Sequence, residues 1–203
     1  MIGILSYGIG NVGSIRNMLK KAGAASELVE TPEALAACDK LILPGVGAFD
    51  TGMELLDRSG MRPALDTAVR SGKPLLGICL GMQMLGKSSA EGKRPGLSYI
   101  PFVNVRFQLD PARFKVPHMG WNYVEITDTA DPLVKDVTEK QRYYFVHSYH
   151  AQCEDARDAL MLCDYGTPFA AAVRRGNVWG TQFHPEKSHR FGMALLKNFA
   201  EEC

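Results

Sequence analysis

The stretch Lys73-Pro-Leu-Leu-Gly-Ile-Cys-Leu-Gly-Met-Gln83 limits what this chain can fold into more than any other. Its apolar run, residues 74–78, opens on proline, contains Gly77 and reads as a strand buried on both faces, of the kind found at the centre of an α/β sheet. From residue 80 to residue 87 the pattern turns helical, so Cys79 stands on a sharp strand-to-helix turn. A side chain at such a turn projects at the carboxyl edge of the sheet, and neighbouring chain must pass close to it. Gly77 and Gly81 are the small flanks that this requires. The spacing is that of a nucleophile elbow, G-x-S-x-G, with cysteine in place of serine. A thiol at a helix amino terminus sits beside unpaired N–H groups and the positive end of the dipole, which favours thiolate. The Leu80 N–H points at the same spot and could hold a developing oxyanion. Free cysteine is also among the most buried residue types, so an inert core thiol is the competing explanation. The two glycines at fixed offsets after an apolar strand argue for the elbow.

The flanking sequence supplies a sheet for it. Residues 3–6 read as a first buried strand, followed by a glycine-rich turn and a helix over 14–21 that Gly23 ends. Residues 26–29 suit a second strand, Thr31 caps a short helix through Ala37, and residues 41–43 form a third strand running into Pro44-Gly-Val-Gly-Ala-Phe49. Helices are expected over 50–58 and 63–71. Strand–helix alternation of this kind predicts a doubly wound parallel sheet whose ligands bind at the carboxyl ends of strands. The Pro44 loop and Cys79 then open on the same edge, which makes the Val46 N–H a candidate second oxyanion donor. Gly8-Ile-Gly-Asn-Val-Gly13 also fits the dinucleotide fingerprint G-x-G-x-x-G, with Glu27 or Glu30 near the ribose position; a tight loop that faces a partner protein is the plainer alternative. From Tyr99 onward the texture changes to short strands, over 99–107, 121–126, 142–147, 159–164, 169–175 and 178–183, before a final helix over 188–202. The expected fold is therefore α/β: a doubly wound, mostly parallel sheet flanked by helices, with a more antiparallel C-terminal half. No repeat or linker interrupts it, so residues 1–203 are expected to form a single domain.

A cysteine nucleophile needs a base, and the base needs an acceptor that orients it. His184 ends an expected strand in Gln-Phe-His-Pro-Glu-Lys, where Pro185 stiffens the turn and Glu186 can return to the imidazole. His118, His147, His150 and His189 lack such a context. A metal site is not expected, since proline breaks the register of His-Glu-x-x-His and no further ligand cluster exists. A net charge of +1 argues against a polyanionic or membrane partner. No apolar segment is long enough to span a bilayer, and five cysteines without CxxC or metal spacing fit a reducing, cytoplasmic setting.

Gly77-Ile-Cys-Leu-Gly-Met-Gln83, Pro44-Gly-Val-Gly47 and Gln182-Phe-His-Pro-Glu186 resemble the triad class of glutamine amidotransferases. Lys115-Val-Pro-His-Met-Gly-Trp-Asn122, Tyr144-Phe-Val-His-Ser-Tyr149 and Pro185-Glu-Lys-Ser188 narrow the resemblance to the glutaminase subunits of imidazole glycerol phosphate synthase, nearly end to end. The resemblance implies that Cys79 attacks the glutamine carboxamide, His184 shuttles protons and Glu186 orients His184. It places the N–H groups of Leu80 and, after a peptide flip, Val46 on the oxyanion, and Gly47, Gln83, Ser148 and Tyr149 on glutamine. No cofactor is implied. Asn11, Trp121 and Lys187 would face a (β/α)8 barrel synthase subunit that uses the ammonia to make imidazole glycerol phosphate and an aminoimidazole carboxamide ribotide in histidine synthesis. Ser6, often acidic in the family, and Ser98, where glycine is commoner, depart from the pattern. Some relatives instead feed ammonia to an enzyme that amidinates a nucleotide-linked sugar for surface polysaccharide. A cysteine hydrolase or thioesterase on the same sheet, needing no partner, and a dinucleotide-binding module built on Gly8 to Gly13 are the more distant alternatives.

Overall fold

The structure is a computed structural model that describes residues 1–137 and 140–203. Its first half alternates strands β1 (Ile2–Leu5), β2 (Ser26–Val29), β3 (Lys40–Gly45) and β4 (Leu75–Cys79) with helices α1 (Val12–Lys21), α2 (Pro32–Ala37), α3 (Phe49–Arg58) and α4 (Arg62–Arg70). Helix α5 (Leu80–Met84) follows β4 without a gap. The second half carries β5 (Ser88–Ser89), β6 (Phe102–Arg106), β7 (His118–Tyr123), β8 (Glu125–Ile126), β9 (Arg142–His147), β10 (Tyr149–Cys153), β11 (Ala159–Asp164), β12 (Pro168–Arg175), β13 (Val178–Thr181) and the closing helix α6 (His189–Glu201).

Strands β2, β1, β3, β4 and β13 lie side by side and parallel. Beyond β13 the sheet continues antiparallel through β12, β10 and β6. Strands β7 and β9 form a separate antiparallel ribbon. This is the α/β architecture expected from the sequence, including the change of texture halfway along.

Side-chain alternation on the central strands explains the layering. Leu41 and Leu43 of β3 and Leu75 of β4 point into one apolar cluster with Leu35, Met53 and Leu65, which places α2, α3 and α4 on that face. Ile42 and Leu76 point the other way, into a second cluster with Ile15 and Leu19 of α1 and Leu195 and Phe199 of α6. Successive strand residues face opposite sides, so a continuous apolar run is what a strand covered on both faces needs. Thr31 caps α2 as expected, its Oγ1 accepting from the Ala34 N–H at 3.3 Å.

Several elements differ from the sequence expectation. The helix after Cys79 stops at Met84 rather than Lys87, because the Lys87 N–H donates to the Phe102 carbonyl at 2.8 Å and the chain turns into β5. The strand expected from Tyr99 begins only at Phe102, and the one expected over 121–126 is split into β7, which starts three residues earlier, and β8. Strand β10 was not expected, although Tyr149-His-Ala-Gln-Cys153 alternates apolar and polar residues over its five positions. It forms because β6 pairs with it over five residues. Ser98 adopts φ 58°, a left-handed conformation that glycine takes without steric cost. Ser6 donates its hydroxyl to Glu30 Oε1 at 3.0 Å. Among the described residues no helix is long and apolar enough to cross a membrane.

Candidate active site

Cys79 is the last residue of β4 and the residue before α5, with φ 55° and ψ −109°. A side-chain-bearing residue is rarely held there, and such strain persists only when its surroundings enforce it. Gly77 and Gly81 are the enforcing contacts. A Cβ on Gly81 would lie 1.8 Å from the Leu43 carbonyl oxygen of β3, and one on Gly77 would lie 2.8 Å from the Gly81 carbonyl. The elbow therefore closes only with glycine at both positions. Strands β3 and β4 pair with Gly45 level with Cys79, so Val46 and Gly47 leave the sheet beside the thiol. On the other side, Thr181 pairs with Ile78, which brings Gln182 level with Cys79. Leu80 opens a helix whose first N–H groups have no intrahelical acceptor.

These edges border a cleft of about 420 Å³ that contains Cys79, Leu80, Val46, Gly47 and His184. His184 Nδ1 lies 2.8 Å from Glu186 Oε1, and the same oxygen accepts from the Asn11 side-chain amide at 2.9 Å. Both side chains of the pair are nearly inaccessible to solvent. Nε2, the other ring nitrogen, is buried and has no hydrogen-bond partner among the described residues. Burial disfavours charge on the ring, but the adjacent Cys79 sulfur and the hydrogen-bonded Glu186 carboxylate outweigh it and lift His184 to about 9. Burial likewise opposes ionisation of Glu186, yet His184 and Asn11 hold it below the ordinary carboxylate range. The pair is accordingly imidazolium and carboxylate at neutral pH.

The turn carrying His184 is latched to β9. Its N–H donates to the Tyr144 carbonyl at 2.9 Å, the Tyr144 N–H donates to Ser188 Oγ at 3.0 Å, and that hydroxyl donates to the His184 carbonyl at 2.6 Å. Ser188 is fully buried, and nothing in its local sequence marks it as the clamp of the site.

The cleft is also lined by Gln83, Ser148 and Tyr149, which the resemblance named as glutamine contacts, and by His147 and Glu91, which it did not single out. Gln83 Nε2 donates to the Tyr149 carbonyl at 3.2 Å and to Gln182 Oε1 at 3.1 Å. His147 Nδ1 meets the same Tyr149 carbonyl at 2.8 Å, and its Nε2 meets His118 Nδ1 at 3.0 Å. A carbonyl only accepts, so His147 carries its proton on Nδ1 and takes the His118 N–H on Nε2. Burial pushes His147 down to about 3 and His118 to about 4, leaving both neutral. His147 and His118 are separated in sequence and meet only because they are paired across β7 and β9.

Trp121 lies on the outer ribbon, 41% exposed, stacked on the His189 ring at 5.4 Å and with the Arg142 guanidinium 5.4 Å from its ring centroid. Exposed Met119 and Tyr123 flank it on the same strand face. Trp121 is thus not the core aromatic that tryptophan often is. Lys187 is exposed, lines the cleft and reaches over Tyr144. Asn11 turns its amide inward to Glu186, so its side chain belongs to the site as well as to the Gly8–Gly13 loop.

The sequence profile of the family described as Glutamine amidotransferase class-I matches residues 4–203. The chain is 50% identical over 202 residues to imidazole glycerol phosphate synthase subunit HisH 2 of Pseudomonas aeruginosa, covering 99% of each. It is 48% identical over 204 residues to the subunit of the same name from Methanococcus maripaludis, covering all of both chains. A crystal structure described as a glutamine amidotransferase superposes with a TM-score of 0.72 at 22% identity, over 96% of this chain and 98% of the other.

Proposed function

This chain belongs to the Glutamine amidotransferase class-I family and to the imidazole glycerol phosphate synthase HisH subunits within it, and on that premise we propose that Cys79, His184 and Glu186 release ammonia from glutamine. The single observation that carries the assignment is the His184 ring. One nitrogen is held by a buried carboxylate, while the other has no hydrogen-bond partner among the described residues and lies in a cleft shared with a strained cysteine.

The Cys79 thiolate adds to the carboxamide carbon of glutamine, and the oxyanion that forms is met by the N–H groups of Leu80 and, after its peptide turns over, Val46. The C–N bond then breaks as His184 delivers a proton to the departing nitrogen, so ammonia leaves and a thioester remains. Water, deprotonated by the same imidazole, adds to the thioester and expels the thiolate as glutamate forms. Glu186 fixes the ring and stabilises its charged form. Gly47, Gln83, Ser148 and Tyr149 hold glutamine; both amide hydrogens of Gln83 are already engaged within the protein, which leaves its Oε1 for substrate.

The ammonia goes to a (β/α)8 barrel synthase subunit that completes imidazole glycerol phosphate, docked over the ribbon face carrying Trp121 and the neighbouring turn that carries Lys187, with Asn11 beside Glu186 of that turn. The exposed aromatic and apolar side chains of β7 support a protein contact there. The whole chain, 1–203, acts as one glutaminase domain, and its five free cysteines fit a cytoplasmic setting.

The test is glutamate release from glutamine by this chain alone and with a histidine-pathway barrel synthase and its nucleotide ligand. Strong stimulation in the second case, lost in Cys79→Ala, is expected. Hydrolysis indifferent to that synthase would reassign the acceptor to a sugar-amidinating partner, and turnover persisting in Cys79→Ala would remove the mechanism altogether.

A further inference from the structure

The side chain of Gln182 has no part in the scheme above, yet it is completely buried and lies at the sulfur. Its place is set by the sheet: the Gln182 N–H donates to the Ala171 carbonyl at 2.8 Å, one residue past the pairing of Thr181 with Ile78. That register carries the amide to the flank of Cys79 opposite β3.

Which end of the amide faces the sulfur follows from the hydrogen bonds around it. The Tyr149 carbonyl can only accept, so the group of Gln83 that faces it is the NH2. The second hydrogen of that NH2 goes to Gln182, so the group of Gln182 that receives it is the oxygen. The remaining NH2 of Gln182 is left pointing at Cys79 Sγ, 4.0 Å away. The His118–His147 pair completes the arrangement by donating to the same Tyr149 carbonyl, with no hydrogen to spare that could reverse it. Every amide in the series has one orientation that satisfies its neighbours, and a backbone carbonyl, which cannot flip, fixes the first.

We propose that Gln182 is a thiolate-holding donor, fixed through Gln83 and the Tyr149 carbonyl so that its N–H is aimed at the Cys79 sulfur. The inference rests on the assignment of Cys79 as nucleophile. A donor at sulfur favours the anion over the thiol and is worth less once sulfur has formed its bond to carbon. Gln182 therefore raises the fraction of enzyme carrying thiolate near neutral pH, and does not speed the attack of thiolate already formed.

The experiment follows the rate of Cys79 alkylation by iodoacetamide against pH, read on the Cys79 peptide by mass spectrometry, in the unaltered chain, Gln182→Met and Gln182→Glu. Methionine keeps most of the volume and removes the donor; glutamate keeps the oxygen for Gln83 and removes the N–H. The expected result is a titration midpoint higher by about one pH unit in Gln182→Met, so roughly tenfold slower alkylation at a pH below both midpoints, with a plateau rate at high pH within twofold of the unaltered chain. Gln182→Glu should move the midpoint further. A change of packing alone would lower the plateau and leave the midpoint in place. Midpoints that coincide within 0.2 units overturn the proposal. In the unaltered chain the Gln182 side-chain amide protons, followed by NMR, should shift through the same midpoint; an amide signal that does not move there overturns it too, even if neither variant folds. Glutamate release persisting in Cys79→Ala would instead strike the parent mechanism, so the two failures are told apart.

Discussion

Replacing Glu186 with glutamine keeps the shape of the side chain and removes its charge, and the structure says what that costs. The carboxylate is nearly inaccessible, 2.8 Å from His184 Nδ1 and 2.9 Å from Asn11 Nδ2. Burial alone would push the imidazole below its ordinary 6.5, whereas its neighbours raise it to about 9. A lift of that size corresponds to roughly 3 kcal/mol at about 1.4 kcal/mol per pH unit. Cys79 and Glu186 both contribute to it, and a hydrogen bond to a charged group is worth about 2 kcal/mol. The sign follows from linkage. A ring whose folded pKa is raised stabilises the fold fully below the unfolded value near 6.5, and the effect is lost as pH rises through about 9. Glu186→Gln should therefore destabilise the chain by about 2 kcal/mol at pH 6 and by clearly less at pH 9.5, measured by urea unfolding. The same loss applied to the imidazolium that protonates the leaving nitrogen predicts a ten- to thirtyfold fall in kcat for glutamate release. His184→Ala, which removes the proton carrier itself, should cost much more. An equal destabilisation at the two pH values, or a fall in kcat below threefold, would refute the buried ion pair as the reason for Glu186.

The remaining predictions bear on the elbow and on the neutral histidines behind it. Gly81→Ala forces a methyl to within 1.8 Å of a backbone oxygen in β3, and neither strand can yield without moving Cys79; the expected outcome is a loss of at least 3 kcal/mol of stability by thermal unfolding, together with loss of glutaminase activity. A variant of near-native stability would mean that the elbow is looser than its geometry implies. His118 and His147 are held neutral by burial, at about 4 and 3, whereas both take up protons below about 6.5 once unfolded. The unfolded chain then binds more protons, so stability should fall by about 1.4 kcal/mol per pH unit for each of them between pH 6 and pH 4.5, and His118→Asn should flatten that slope by one histidine's share. Unfolding midpoints in urea across this range check it, and an unchanged slope would count against the pair being buried and neutral.

The parallel half of the sheet was legible because its strands are buried on both faces and its helices on one, so apolar runs and amphipathic helices announce themselves within a few residues. The elbow was legible for a related reason. Two glycines and a strand end are local features, and the close contacts they permit, Gly81 against β3 and Gly77 against Gly81, explain them sterically. Strand β10 was missed although Tyr149, Ala151 and Cys153 alternate with His150 and Gln152, because an alternation of five residues is a weak signal and the strand owes its conformation to β6, more than forty residues earlier. The short α5 was invisible for the same kind of reason, since the Phe102 carbonyl takes the chain away from helix at Lys87.

Within the site, Cys79, His184 and Glu186 could be named from sequence because each sits in a short motif whose spacing carries a mechanical meaning. Asn11, Gln182, Ser188 and the His118–His147 pair could not be given their present roles that way. Asn11 and Glu186 are 175 positions apart, and the Gln83–Gln182 contact joins residues 99 apart. The sequence by itself determined the local chemistry: which residue is strained into the open, which imidazole has a carboxylate within reach, and which strands are central. Only the tertiary structure decided who completes those groups. A hydrogen bond is directional and short, so its partner is chosen by which backbone the sheet brings to within 3 Å, and sheet pairing sums contributions from the entire chain.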